Sequence, residues 1–273
     1  MTVPTDPPRI LLEDGPLMAV EKPAGLPTQA LGTHPSLENW LKDFLREKYA
    51  KPGNVYLGVP HRLDRPVSGI VVFAKNSKAA ARLAEQFRDR VVKKIYWAVL
   101  AGLPTPSADE WSDWLRKIPD QPRGEIVPEG TPGAKLARLR CRVLGTCPDS
   151  ASSSPSGTPT PARTLVEVEL LTGRMHQIRL QSAGRDAPVW GDVRYGGPPL
   201  GNAPPSGNLA NNPDEAPSDE PAPRILLHAR SLELLHPVRY DAVRIECPPP
   251  AWWPSLPELM PDDQSTYKNS LPP

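Results

Sequence analysis

The spacing of apolar positions changes several times along the chain, and each change marks an element. Between residues 9 and 21 two short apolar runs, Ile10-Leu11-Leu12 and Leu17-Met18-Ala19-Val20, flank Asp14-Gly15. That dipeptide suits a tight hairpin turn, so the chain is expected to open with two antiparallel strands. From Ser36 the interval lengthens: Leu37, Trp40, Leu41, Phe44 and Leu45 recur every three or four residues, with Ser36 as N-cap and Pro52-Gly53 as the stop. Trp40 and Phe44 fall on the stripe expected to pack on the core. Pro66 and Gly69 interrupt regular structure just before the β-branched run Ile70-Val71-Val72-Phe73, which predicts a loop feeding a buried strand. A second helix is expected over 77–91, capped by Asn76 or Ser77. It should bury Ala80, Leu83, Ala84, Phe87 and Val91 and turn Lys78, Arg82, Arg88 and Arg90 outward.

Downstream, Lys94–Gly102 reads as a strand, while 103–135 shows no period and sets Trp111 and Trp114 among polar residues, so it is expected to be irregular. Strands resume at Ala137–Leu144 and Thr164–Leu171. Next, Gly173 allows a tight strand-to-helix turn and Thr172 can cap a helix carrying His176 and Arg179 at i,i+3.

Composition sharpens this outline at the ends and in two insertions. The 38 prolines crowd into the first residues, 148–161, 198–223 and the C-terminal tail. Residues 1–8, about 148–162 and 197–223, and 254–273 are therefore expected to be irregular around one folded domain spanning 9–253. A hydrophobic share of 38% supports a sizeable core. No apolar run approaches a membrane span and no signal segment opens the chain, which predicts a soluble cytoplasmic protein without membrane contact. Cys141, Cys147 and Cys247 lack paired metal-ligand spacing and are expected to be ordinary thiols.

Net charge is only +1, but residues 61–94 hold nine Lys and Arg against Asp64, Glu85 and Asp89, a strip able to neutralise phosphates. Within it lies His61-Arg62-Leu63-Asp64-Arg65. Arg62 and Asp64 project to one side of an extended segment, and a neighbouring guanidinium would keep the carboxylate ionised. Such an anion can act as nucleophile or base; it can equally cap the amides of a turn.

The longer string His61-Arg62-Leu63-Asp64-Arg65-Pro66-Val67-Ser68-Gly69, followed by an apolar strand and Ala74-Lys75, resembles the signature of the RluA-type pseudouridine synthases. Many members carry Asp-Thr where this chain has Pro66-Val67. Other motifs of that family are similar to Lys22-Pro23-Ala24-Gly25-Leu26-Pro27, to the stretch around Tyr96, to Leu170–Arg179, to Pro188–Gly196 and to Leu227-His228-Ala229. Gln181 stands where many members have His.

The resemblance implies an α+β fold: a mixed, largely antiparallel sheet with flanking helices and a central basic cleft. It implies Asp64 as the catalytic residue, Tyr96 stacked on the target base, and Arg179 holding the Asp. It also implies His61, Arg62, Leu63, Arg65, Arg174, His176 and Gln177 as substrate-binding. The partner would be ribosomal or transfer RNA, with ribosomal RNA preferred, and the protein a monomer needing no metal or cofactor. Two other classes stand beside it. An RNA-binding protein without catalysis is disfavoured by the intact Asp64, Tyr96 and Arg179, and a glycosidase would need a second carboxylate in a suitable motif.

Overall fold

A computed structural model of the chain describes residues 8–30, 34–50, 52–105, 109–147, 161–200 and 224–255. Most of the segments expected to be irregular, 1–8, 148–162, 197–223 and 254–273, lie outside the described residues. In chain order the strands are β1 (Arg9–Asp14), β2 (Leu17–Lys22), β3 (Ser68–Ala74), β4 (Lys93–Ala101) and β5 (Glu110–Lys117). After them come β6 (Gly124–Val127), β7 (Lys135–Cys147), β8 (Arg163–Leu170), β9 (Leu227–Leu235) and β10 (Ala242–Glu246). The helices are α1 (Leu37–Lys48), α2 (Ser77–Arg88) and α3 (Gln177–Ala183). No helix among the described residues is long and apolar enough to cross a membrane.

The chain divides into two compact units, one from Met1–Ile95 with Leu209–Pro249 and one from Tyr96–Asn208 with Pro250–Pro273. In the first unit β1 and β2 form the expected hairpin, with Gly15 at φ +51° in its turn. β2 pairs antiparallel with β3, β3 runs parallel to β9, and β10 returns antiparallel on β9. That parallel pair makes the sheet mixed. All seven residues of β3 are buried, which is why it reads as one apolar run instead of alternating. Glycine is required where β3 meets β9: Gly69 has φ +114°, and a Cβ there would sit 2.4 Å from the carbonyl oxygen of Ala229. Leu17, Ile70, Val72, Leu83, Leu232 and Ile245 share the core of this unit, each buried side chain stabilising it by about 1.5–3 kcal/mol.

Both helices of this unit start as expected. Ser36 accepts from the Asn39 N–H and Asn76 from the Ala79 N–H. Their buried faces differ from the expectation. On α1 the buried stripe is Leu37, Leu41 and Leu45, while Trp40 and Phe44 stay half-buried, stacked on each other at 5.5 Å. The narrow i,i+4 row meets the core, and the aromatics cover its flank. On α2 the buried residues are Ala79, Leu83 and Gln86, whereas Ala84 is exposed; the helix ends at Arg88, short of Val91, which is also exposed. The face turns toward Gln86 because its amide donates to the Leu235 carbonyl and accepts the Leu235 N–H, both at 2.8 Å, closing the end of β9.

The second unit runs β4, β8, β7, β5, β6 across its sheet, and the β5–β6, β5–β7 and β7–β8 pairings are antiparallel. β5 and β6 lie in the stretch expected to be irregular. Trp111, Asp113 and Leu115 share the less exposed face of β5, and Asp113 accepts from Gln181 Nε2 at 2.5 Å and Arg185 Nη1 at 2.9 Å. A carboxylate at an inward position conceals the two-residue alternation. The α+β expectation, with a mixed and largely antiparallel sheet, agrees with both units.

Candidate active site

Asp64 sits half-buried in the loop that enters β3, and the backbone around it is held at many points. Its carbonyl accepts the Val67 N–H at 3.1 Å, closing a turn over Arg65-Pro66. On the N-terminal side the Thr28 hydroxyl clips Leu63, accepting its N–H at 3.1 Å and donating to its C=O at 2.9 Å. On the C-terminal side the Gly25 N–H donates to the Arg65 carbonyl at 2.8 Å, and Arg65 Nε donates back to the Gly25 carbonyl at 3.0 Å. Lys22, fully buried, adds Nζ bonds to the carbonyls of Leu26 at 2.7 Å, Pro23 at 3.0 Å and Arg65 at 3.1 Å. Burial pulls the pKa of Lys22 down to about 7, and the negative charge of Asp64 works against that pull. The stiff 22–28 loop is thus the clamp that presents Asp64.

His61 begins the same loop but faces inward. Its Nε2 accepts the Val72 N–H at 3.0 Å, and the ring stacks on Phe87 at 4.3 Å. Burial, with the charge of Lys94 second, lowers its pKa to about 3, so the ring is neutral and Nδ1 carries its proton. Leu63 is buried, whereas Arg62 is exposed. Behind the loop, Ser68 Oγ lies 2.8 Å from His228 Nδ1, and His228 Nε2 donates to the Cys247 carbonyl at 3.0 Å.

The second unit carries the other candidates. Tyr96, on β4, is half-buried. Between β8 and α3 the chain turns through Thr172–His176, and here the structure departs from the expected capping. Thr172 does not cap the helix: its hydroxyl donates to Gln177 Oε1 at 2.8 Å and accepts the Arg138 N–H at 2.8 Å. The residue before the helix is His176, in the left-handed region at φ 52° with no side-chain cap, so α3 starts after it. Histidine is among the residues that tolerate this region best. Gln177 is buried; its Oε1 also accepts the Arg174 N–H at 3.0 Å, and its Nε2 donates to the Arg138 carbonyl at 3.0 Å. Arg174 Nε donates to the Leu136 carbonyl at 2.9 Å.

Arg179 is 4% exposed and is gripped through its Nε and Nη2 by both carboxylate oxygens of Asp192, at 2.6 and 2.8 Å. A bidentate pair of this kind fixes the plane of the guanidinium. Asp192 precedes the 3₁₀ turn Val193–Tyr195. Tyr195 lies with its hydroxyl 2.8 Å from His176 Nδ1 and its ring 5.0 Å from the Arg179 guanidinium carbon.

The first unit therefore gathers His61, Arg62, Leu63, Asp64 and Arg65, and the second Tyr96, Arg174, His176, Gln177 and Arg179. Three of the expected substrate-binding residues, His61, Leu63 and Gln177, are turned into the framework: their side chains meet backbone or core and brace the loops. Sequence reasoning assigned nothing to Lys22, Thr28, Asp192, Tyr195 or His228. All but Thr28 stand inside motifs already recognised, and Thr28 adjoins one; what was missing was the distant backbone group that each one holds.

A family model described as RNA pseudouridylate synthase matches residues 16–183. An uncharacterized RNA pseudouridine synthase of Zymomonas mobilis is 32% identical over 228 residues, covering 83% of this chain and 87% of its own length. Ribosomal large subunit pseudouridine synthase D of Nitrosomonas europaea is 31% identical over 248 residues, covering 89% of this chain and 62% of that protein. Among solved structures, human RNA pseudouridylate synthase domain containing 4 superposes with a TM-score of 0.63 at 26% identity, covering 89% of each chain.

Proposed function

We propose, from the premise that the chain belongs to the RNA pseudouridylate synthase family, isomerases that act on RNA, that it converts uridine to pseudouridine in large-subunit ribosomal RNA with Asp64 as the initiating residue. The N1–C1′ bond breaks, the uracil turns, and C5 joins C1′; the C5 proton leaves and N1 gains one. The step needs a well-placed carboxylate and a base taken out of its stack. The observation that carries this reading is the clamped turn, in which Lys22, Gly25 and Thr28 hold the backbone on both sides of Asp64 and so fix where its carboxylate is presented.

In this reading Asp64 attacks the nucleoside or removes the C2′ proton. Tyr96 stacks on the turned-out base, and Arg62 fills the space the base leaves. Arg179, oriented by Asp192, holds the catalytic carboxylate as an anion, the role the family resemblance gives it. Arg65, Arg174 and His176 serve the RNA backbone. The preference for ribosomal RNA rests on the name of the Nitrosomonas relative.

The test is pseudouridine mapping of total RNA from the source organism with the gene deleted, then complemented by wild type or by Asp64→Asn. Specific large-subunit sites are expected to vanish and to return only with wild type. Sites lost in transfer RNA instead would move the substrate, and restoration by Asp64→Asn would remove Asp64 from the chemistry.

A further inference from the structure

Tyr195 touches two residues to which the reading above gives roles, His176 at the RNA backbone and Arg179 at the catalytic carboxylate. Its hydroxyl meets His176 Nδ1 at 2.8 Å and accepts the Gly124 N–H at 3.2 Å. Its ring is shared by the guanidinium carbons of Arg179, 5.0 Å from the centroid, and Arg123, 5.9 Å away. Its N–H donates to the Asp192 carbonyl at 3.0 Å, and Asp192 is the residue that grips Arg179. The segment is also tied to the β5–β6 hairpin: Arg194 Nη1 donates to the Pro122 carbonyl at 2.6 Å, and Arg123 Nη2 to the Arg194 carbonyl at 3.3 Å. Tyr195 is therefore held from two elements while it holds His176.

The proton count favours Tyr195 as the donor in the bond to His176. A phenol has one proton to donate and two lone pairs. The Gly124 N–H takes one lone pair, and burial raises the pKa of Tyr195, so the phenolic proton stays on. Among the described residues, His176 Nδ1 is the acceptor within reach of that proton. An Nδ1 that accepts carries no proton of its own, so the proton of a neutral ring belongs on Nε2.

We propose that Tyr195 is a positioning residue that fixes His176 as the neutral Nε2–H tautomer, so that His176 serves the RNA as a hydrogen-bond donor through Nε2 and not as a base at that nitrogen. The left-handed backbone of His176 fits this role, because a non-glycine residue kept at φ 52° is oriented by its surroundings and not by its own preference. The RNA contact rests on the proposed function; the tautomer does not.

The test uses the full chain with ¹⁵N-labelled histidine, the resonance of His176 being assigned by its loss in His176→Gln. The wild type is expected to show a pyridine-type Nδ1 and a pyrrole-type Nε2 near neutral pH. Tyr195→Phe, which keeps the ring under Arg179 and Arg123, is expected to mix the tautomers and to lower kcat/KM about 5- to 10-fold, the loss of one hydrogen bond. His176→Gln, which retains an N–H donor, should keep more activity than His176→Ala. A merely structural tyrosine would lower the melting temperature without moving the tautomer. A protonated Nδ1 in the wild type overturns the proposal, and so does a Tyr195→Phe enzyme turning over RNA at the wild-type rate. Failure of the family reading looks different: the wild type would form no pseudouridine in any RNA, whatever the spectrum.

Discussion

At Asp64 the chain is held by its backbone, and at Arg179 it is held by side chains. Around Asp64, Lys22, Gly25 and Thr28 bind the N–H and C=O of Leu63 and the C=O of Arg65, groups that every residue type but proline would offer. The exposed side chain of Arg62 is thereby released from structural duty. Around Arg179 the opposite holds: the Asp192 carboxylate, the Tyr195 ring and the amide of Gln177 bind particular partners. A backbone clamp tolerates a change in the loop it holds and fails when the clamp is cut. A side-chain network fails when either partner changes.

The comparison predicts its largest effect at Asp192. Asp192→Ala leaves Arg179 buried without the partner that takes two of its bonds, and unfolding in urea should show a loss of about 3–5 kcal/mol. Replacing both partners, Arg179→Met with Asp192→Leu, should recover most of that stability while pseudouridine formation stays lost. Recovery of activity in the double variant would mean that the network serves folding alone.

The clamp should give a smaller effect. Thr28→Val keeps the volume of a side chain that is 3% exposed but removes the hydroxyl, orphaning the N–H and C=O of Leu63. A cost of about 2–3 kcal/mol is expected in the same unfolding experiment, with kcat falling more than KM changes as the Asp64 turn loosens. Substituting Arg62, whose side chain is exposed beside the clamped backbone, should leave stability within about 0.5 kcal/mol. Equal losses at Thr28 and Arg62 would erase the distinction between the two regions.

These two regions also show how far the sequence could be read. The string from His61 to Lys75 and the one from Leu170 to Arg179 both stand out by residue type, and so do the first hairpin and the caps Ser36 and Asn76, because each is a local pattern. What escaped was set by distant partners. Asp113 faces inward because Gln181 and Arg185 bind it, so the alternation of β5 does not show in its apolar and polar residues. Gln86 is buried because the end of β9 needs both halves of its amide, which turns α2 away from Ala84. Thr172 points at Arg138 and Gln177 instead of capping α3, and the left-handed residue of that turn is His176. Lys22 was visible as a motif letter, but its work depends on the Arg65 carbonyl, 43 residues away.

His228 supplies a loss smaller than that at Asp192 or Thr28, and the one that follows from pH. It is fully buried behind the Asp64 loop, taking the Ser68 hydroxyl at Nδ1 and giving its Nε2 proton to the Cys247 carbonyl, so the native ring has no place for a second proton. Burial lowers its pKa to about 4, although the bond to the Cys247 carbonyl opposes the shift. An unfolded histidine titrates near 6.5, so between about 6.5 and 4 the unfolded chain binds a proton that the folded chain refuses. The contribution is therefore complete above pH 6.5 and is lost as the pH falls toward 4. Between pH 7 and pH 5 the loss from this one residue should be about 2 kcal/mol, read from urea midpoints at the two pH values. His228→Gln, which cannot take up a proton, should flatten that part of the profile even if it is less stable at pH 7. An unchanged slope would mean that the ring is protonated in the native state, and that the hydroxyl of Ser68 accepts from it.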